Sequence, residues 1–222
     1  MKEEKSLATD TVANKIKIFN DDLDQELLQH FLKQKFVAVD TETRGLIIPR
    51  DRLCLVQIAA PDGTIALVRF TKNSKIPSTS TSNLKTLLET KTLLKVFHFA
   101  RFDVAVLKYY LSAEVHPIWC TKIASKLVRT YADRHSLRDL AFELLGIEMD
   151  KSNQMSDWAK EDLSQPQLEY AANDVKLLVP IYQKMQTLVE REGLTPLADR
   201  LFAFINTISE LDLRGWKGIF EH

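Results

Sequence analysis

The chain has 222 residues, 45% of them hydrophobic, which suits one α/β domain with a full core and leaves no room for a second large one. Thirty Lys and Arg offset thirty Asp and Glu, so the formal charge is zero, which argues against a processive grip on long nucleic acid and leaves a short substrate or a local basic patch. No apolar run approaches the roughly 20 residues of a membrane helix, and the start MKEEKSLATD lacks an apolar signal core, so the sequence reads as soluble and cytoplasmic, with no membrane partner.

Residues 1–14 are polar and read as a flexible N-terminal segment. A strand is predicted at 15–19 (KIKIF), then a helix over 21–33 with leucines at 23, 27, 28 and 32. Three strands follow at 36–42, 53–60 and 64–69, the last two joined by the turn Pro61-Asp62-Gly63. The Ser/Thr/Lys/Pro-rich stretch 71–82 is a loop before a helix at 83–90. A strand at 93–99 leads into a helix at 102–112, and a short strand at 117–120 precedes helices at 121–130 and 136–145, with Gly146 as the C-cap. After the polar stretch 150–165 comes a long helix over 165–192, in which Pro180 predicts a kink or break. A last helix over 196–212 carries Leu201, Phe202, Phe204, Ile205, Ile208 and Leu211, a pattern that fits packing on the parent domain and a subunit contact equally well. The fold class is therefore α/β, a mixed central sheet flanked by helices. Its main domain spans 15–192, with a C-terminal helix and tail over 193–222. Cys54 and Cys120 are isolated thiols on apolar stretches and read as core residues.

Four carboxylates and one tyrosine carry the chemistry. Asp40 and Glu42 end an apolar strand, and alternation of strand side chains points both to one face while Thr41 points back. Asp103 follows the apolar run LLKVFHF, at a strand end where α/β folds place their chemistry. Tyr170 and Asp174 are four apart on the long helix and share a face. Clustered carboxylates repel one another without cations, and hard ions such as Mg²⁺ or Mn²⁺ take oxygen ligands. The pattern describes a two-metal site for phosphodiester cleavage, in which two divalent ions acidify a water and clamp the attacking and leaving oxygens. With an ordinary pKa of about 10, Tyr170 is better suited to orienting that water than to deprotonating it. A glycosidase is disfavoured, because i, i+2 spacing holds Asp40 and Glu42 side by side. Taken singly, each of these features is as common on a solvated edge or at a helix start; their joint order carries the reading.

The set Asp40-Thr41-Glu42, Asp103 and Tyr170 through Asp174 resembles the tyrosine branch of the DEDD 3′ to 5′ exonucleases. Glu169 stands where the histidine branch would place His. The stretch from Lys151 through Trp158 to Tyr170 is similar to the ribonuclease D group, and the resemblance runs from about residue 35 to 185. Across nearly the whole chain, DTETRGL, RDRLCLVQIA, VFHFARFDVAVL, CTKIASKLVRTYADRHSL and LDLRGW resemble the alphaproteobacterial nanoRNase C enzymes.

The resemblance implies an RNase H-like fold and removal of nucleotides from RNA dinucleotides and other nanoRNA. Its broader alternative is trimming of tRNA 3′ ends or of DNA. It also implies a homo-oligomer such as an octameric ring. Asp40, Glu42 and Asp174 would hold the nucleophile-side metal, with Asp40 bridging to a second ion supported by Asp103. Leu46 would wedge between terminal bases, while Arg44 departs from the apolar residue expected there. Candidate substrate contacts are Thr41, Leu46, His98, Phe102, Gln154 and Trp158, together with Lys122, Arg134 and His135. Lys122, Lys126, Arg129, Arg134 and His135 form the best source of phosphate donors, or equally a solvated helix face. His98 and His135 read equally as packing residues, and Trp158 as a stacking platform or as core.

Overall fold

The computed structural model describes residues 16–71, 82–150, 156–216 and 218–219. The N-terminal segment 1–14, most of the loop 71–82 and Gln154 lie outside the described residues.

Six strands form one mixed sheet: β1 (Ile16–Asn20), β2 (Phe36–Thr43), β3 (Leu53–Ala59), β4 (Ile65–Arg69), β5 (Leu94–Phe97) and β6 (Ile118–Cys120), in the order β1-β4-β3-β2-β5-β6. β3 pairs antiparallel with β2 and β4, whereas β1–β4, β2–β5 and β5–β6 are parallel. All seven residues of β3 are buried, so its run LCLVQIA shows no alternation, as expected where both faces of a sheet are covered. The predicted strands 53–60, 64–69 and 117–120 match to within one residue at either end.

Seven α-helices occur among the described residues: α1 (Gln25–Leu32), α2 (Asn83–Glu89), α3 (Ala100–Leu111), α4 (Thr121–Val128), α5 (Leu137–Leu140), α6 (Gln165–Arg191) and α7 (Thr195–Leu213). α6 lies across β2 to β5, and α7 packs on α3 and β6. None of these helices is long and apolar enough to cross a membrane. Cys54 and Cys120 are free, buried thiols of the core.

Four differences from expectation have local causes. α1 begins at Gln25 rather than at 21, because Asp24 is its N-cap and accepts the Leu27 N–H at 2.7 Å. Asp22 serves another helix instead, accepting the Asn83 and Leu84 N–H groups at 2.8 and 2.7 Å at the start of α2. α6 continues through Pro180 without a break; the carbonyl that loses its partner belongs to Lys176, an exposed residue where water can satisfy it. β5 stops at Phe97, and α3 starts at Ala100, because Phe99 has φ +67° and turns the chain directly from strand into helix. The helix at 137–140 widens into a π turn over Ala141–Leu145, closed by Gly146 at φ +69°.

Lys95 anchors the other end of β5. It is fully buried, and its ammonium donates to the Thr90 and Leu93 carbonyls at 2.7 Å each and to that of His116. α7 is held on the domain by Arg101 and Asp212 at 2.6 Å and by the Asn206 amide on the Val115 carbonyl at 2.9 Å.

Candidate active site

The C-terminal half of β2 carries Asp40 and Glu42, and α6 lies over it with Tyr170 and Asp174 on the facing turn. One carboxylate oxygen from each of Asp40, Glu42 and Asp174 lies within 4.8 Å of the others. They open onto a cleft of about 430 Å³ that Leu46, His98, Phe99, Lys122, Arg138 and Tyr170 also line. Burial pushes Asp40 up to about 7 against the opposing effect of the Thr41 N–H, and burial with the Asp40 charge pushes Asp174 up to about 8. Glu42 is raised well above the usual carboxylate range, first by burial and then by the charges of Asp40, Asp174 and Asp103. The buried Oδ1 of Asp174 has no hydrogen-bond partner among the described residues. Crowded oxygen donors, one of them orphaned, fit a hard divalent cation.

Burial first, and then the neighbouring Asp174, Glu42 and Asp40 carboxylates, raise the Tyr170 pKa, so it is a neutral phenol at physiological pH. Asp103 stands in the first turn of α3, 4% exposed, and accepts the Thr41 hydroxyl at 2.7 Å. Its carboxyl is raised by burial and then by the Asp40 charge, which places it next to Asp40 although outside the three converging oxygens. Thr41 also lines the cleft, and its hydroxyl is spent on Asp103 rather than offered to a substrate.

Trp158 is 4% exposed with its ring 6.1 Å from that of Tyr170, so it has no face free for a base; its place is behind the tyrosine. Its segment is pinned by Arg52, whose Nη2 donates to the Ala159 carbonyl at 3.0 Å, and by Arg69 on the Glu161 carbonyl. Gln167 ties the same segment to the start of α6, accepting the Ser164 N–H at 3.0 Å and donating to the Asp157 carbonyl at 3.3 Å. The Tyr170 ring is therefore backed by a segment that is itself held in place.

The basic cluster divides. Lys122 lines the cleft, its ammonium 4.1 Å above the Phe99 ring. His98 also lines it, its Nδ1 2.8 Å from Thr121 Oγ1; burial and then the Lys122 cation push it down to about 3, so it is neutral. Arg134 and His135 are not in the cleft. The Arg134 carbonyl accepts Arg129 at 3.1 Å, and His135 Nδ1 meets Ser125 Oγ at 2.8 Å. Arg129, 2% exposed, is spent on Glu143 and on the Ser125 hydroxyl.

Arg138 and Ser136 line the cleft in their place and were not singled out by the sequence reading. The available signal was the capping box of Ser136 with Asp139, which fixes the start of α5. Phe99 gave no signal, since nothing local marks a phenylalanine for positive φ.

Leu46, 83% exposed, stands between this cleft and a second, apolar pocket of about 350 Å³, which is where Phe102 lies. Its loop is held by Asp51, which accepts the Ile47 N–H at 2.9 Å and Arg50 Nε at 2.7 Å. A Cβ at Gly45 would stand 2.5 Å from Asp51 Oδ2, so only glycine fits beneath that carboxylate.

A family model described as 3′-5′ exonuclease matches residues 16–190. NrnC of Brucella melitensis, solved with bound Mg²⁺, is 43% identical with a TM-score of 0.84, covering 94% of this chain and 99% of that one. The same protein bound to pGG is 45% identical at a TM-score of 0.84, over 94% of this chain and 98% of that one. Ribonuclease D of Gluconacetobacter diazotrophicus is 30% identical over 167 residues, 75% of this chain and 41% of the relative. The chain thus spans less than half the length of the ribonuclease D proteins it matches. The mixed sheet, the order of the acidic motifs and these likenesses show an RNase H-like domain, and the chain belongs to the 3′-5′ exonuclease family, in its ribonuclease D-like group beside NrnC.

Proposed function

We propose that this protein is a metal-dependent 3′ to 5′ exoribonuclease that hydrolyses RNA dinucleotides and other very short RNA to 5′-mononucleotides. The observation that carries the proposal is the convergence of Asp40, Glu42 and Asp174, three acids whose protonation is favoured only by their crowding and burial. Asp40, Glu42 and Asp174 would hold one divalent ion, and Asp40 with Asp103 a second, of Mg²⁺ or Mn²⁺. Bound there, such ions supply an acidified water and charge stabilisation at the attacked phosphate.

The chain's own groups do the rest. Tyr170, a protonated phenol one helical turn from Asp174, orients the attacking water. Lys122 and Arg138, which line the same cleft, offer donors to substrate phosphates. Leu46 separates the terminal bases across its two pockets. The Mg²⁺ and pGG complexes of NrnC support the metal and the dinucleotide, and formal neutrality favours short substrates over long ones.

Release of 5′-mononucleotide from a length-graded series of RNA and DNA tests the reading. Fastest turnover of the RNA dinucleotide is expected; preference for tRNA 3′ ends or for DNA would move the assignment to the broader alternative. An inert wild type with both Mg²⁺ and Mn²⁺ would end it. A homo-oligomer, in its full form an octameric ring in the cytoplasm, is proposed with this reading on the resemblance alone, and sedimentation measures its size.

A further inference from the structure

Gln57 is the polar residue in the otherwise apolar strand LCLVQIA. It is 0% exposed, and neither its amide nitrogen nor its amide oxygen has a hydrogen-bond partner among the described residues. A buried carboxamide in that state is costly, and substitution by an apolar side chain would remove the cost, so its presence calls for a use. The register shows where that use lies. Gln57 is directly opposite Asp40 in the antiparallel β2–β3 pair, and Leu55 is opposite Glu42. Opposed residues share a face of the sheet with Cβ atoms about 4.5–5.5 Å apart. Gln57 is therefore beside Asp40 in the layer that α6 covers, where Asp174 Oδ1 is an acceptor without a donor.

We infer that Gln57 is a positioning residue for the carboxylates, its amide N–H fixing Asp40 when a divalent ion is bound. A carboxylate that turns one oxygen to a cation needs a donor for the other, and such outer partners set ligand orientation and affinity. The inference rests on the metal-dependent reading above and deepens it.

Gln57→Met keeps length and approximate volume while removing both polar atoms. In chelator this variant should melt higher than wild type by roughly 2–10 °C, the reverse of an ordinary core substitution. Its affinity for Mn²⁺, measured by calorimetry, should fall about 10–100-fold, with kcat for an RNA dinucleotide falling alongside and KM held within about threefold. A variant binding Mn²⁺ within twofold of wild type would overturn the inference. The second measurement needs no substitution: in ¹⁵N-labelled wild type the Gln57 side-chain amide resonance should shift on titration with Mg²⁺, and an unmoved signal at saturating Mg²⁺ would overturn it as well. If wild type itself bound no divalent ion, the metal-dependent reading would fall with it, whereas normal binding by wild type and variant alike would remove only the role of Gln57.

Discussion

Two of the places where this molecule buries charged side chains do so in opposite ways. Arg129, 2% exposed, has Glu143, the Ser125 hydroxyl and the Arg134 carbonyl around its guanidinium, and the bond from Arg129 holds Glu143 below its ordinary pKa. Asp40, Glu42 and Asp174 face one another with no cationic side chain of the described residues among them, and all three are pushed upward. A buried charge provided with partners is tolerated, and removing one partner is what destabilises the fold. Several left facing each other are tolerated because something else arrives to neutralise them, and the difference separates a structural cluster from a functional one.

Asp40→Asn should disturb that contrast most. Turnover of an RNA dinucleotide should fall by about three orders of magnitude, the loss of several kcal/mol of charge stabilisation, while the melting temperature in chelator should rise because one repelling charge is gone. Retained turnover, or a lower metal-free melting temperature, would break the comparison.

Arg129→Met should behave in the opposite sense. It should cost about 2–3 kcal/mol of stability, less than a fully buried pair because Glu143 reaches solvent, and turnover per folded molecule should stay within about threefold. Loss of turnover without loss of stability would place Arg129 in the functional cluster after all.

Tyr170→Phe sharpens the division inside the acid site. Removing the phenol hydroxyl should lower kcat by roughly 10–100-fold and leave divalent-ion affinity nearly unchanged by calorimetry. An equal loss of both would make the tyrosine part of the cation site.

The smallest effect is on pH dependence. Asp40 near 7 and Asp174 near 8 are both above their unfolded value of 3.8, so the stability linked to their protonation is complete below about pH 4 and is lost as pH rises through 7 to 8. Melting temperature in chelator should decline across that interval, and Mg²⁺ should restore it most at pH 8. A metal-free protein that gains stability from pH 5 to 8 would contradict the raised values.

The carboxylates and the sheet were legible in the sequence because period-2 and period-3.6 patterns fix which side chains share a face: Asp40 with Glu42, and Tyr170 with Asp174. What the pattern could not show was competition for each polar group. Arg129 and His135 look like phosphate donors until Glu143 and Ser125 are seen to hold them. Thr41 looks free until Asp103 takes its hydroxyl, and Trp158 looks like a platform until Tyr170 covers it. Gln57 was hidden for the converse reason, since a residue in a strand buried on both faces gives no sign of which neighbour it serves.

Titration calorimetry with Mn²⁺ on wild type and Asp174→Asn tests most directly whether the unpaired acids exist to meet divalent ions. Wild type should bind two ions, and Asp174→Asn should lose at least one of them. No binding by wild type, or equal binding by the two proteins, would contradict the account.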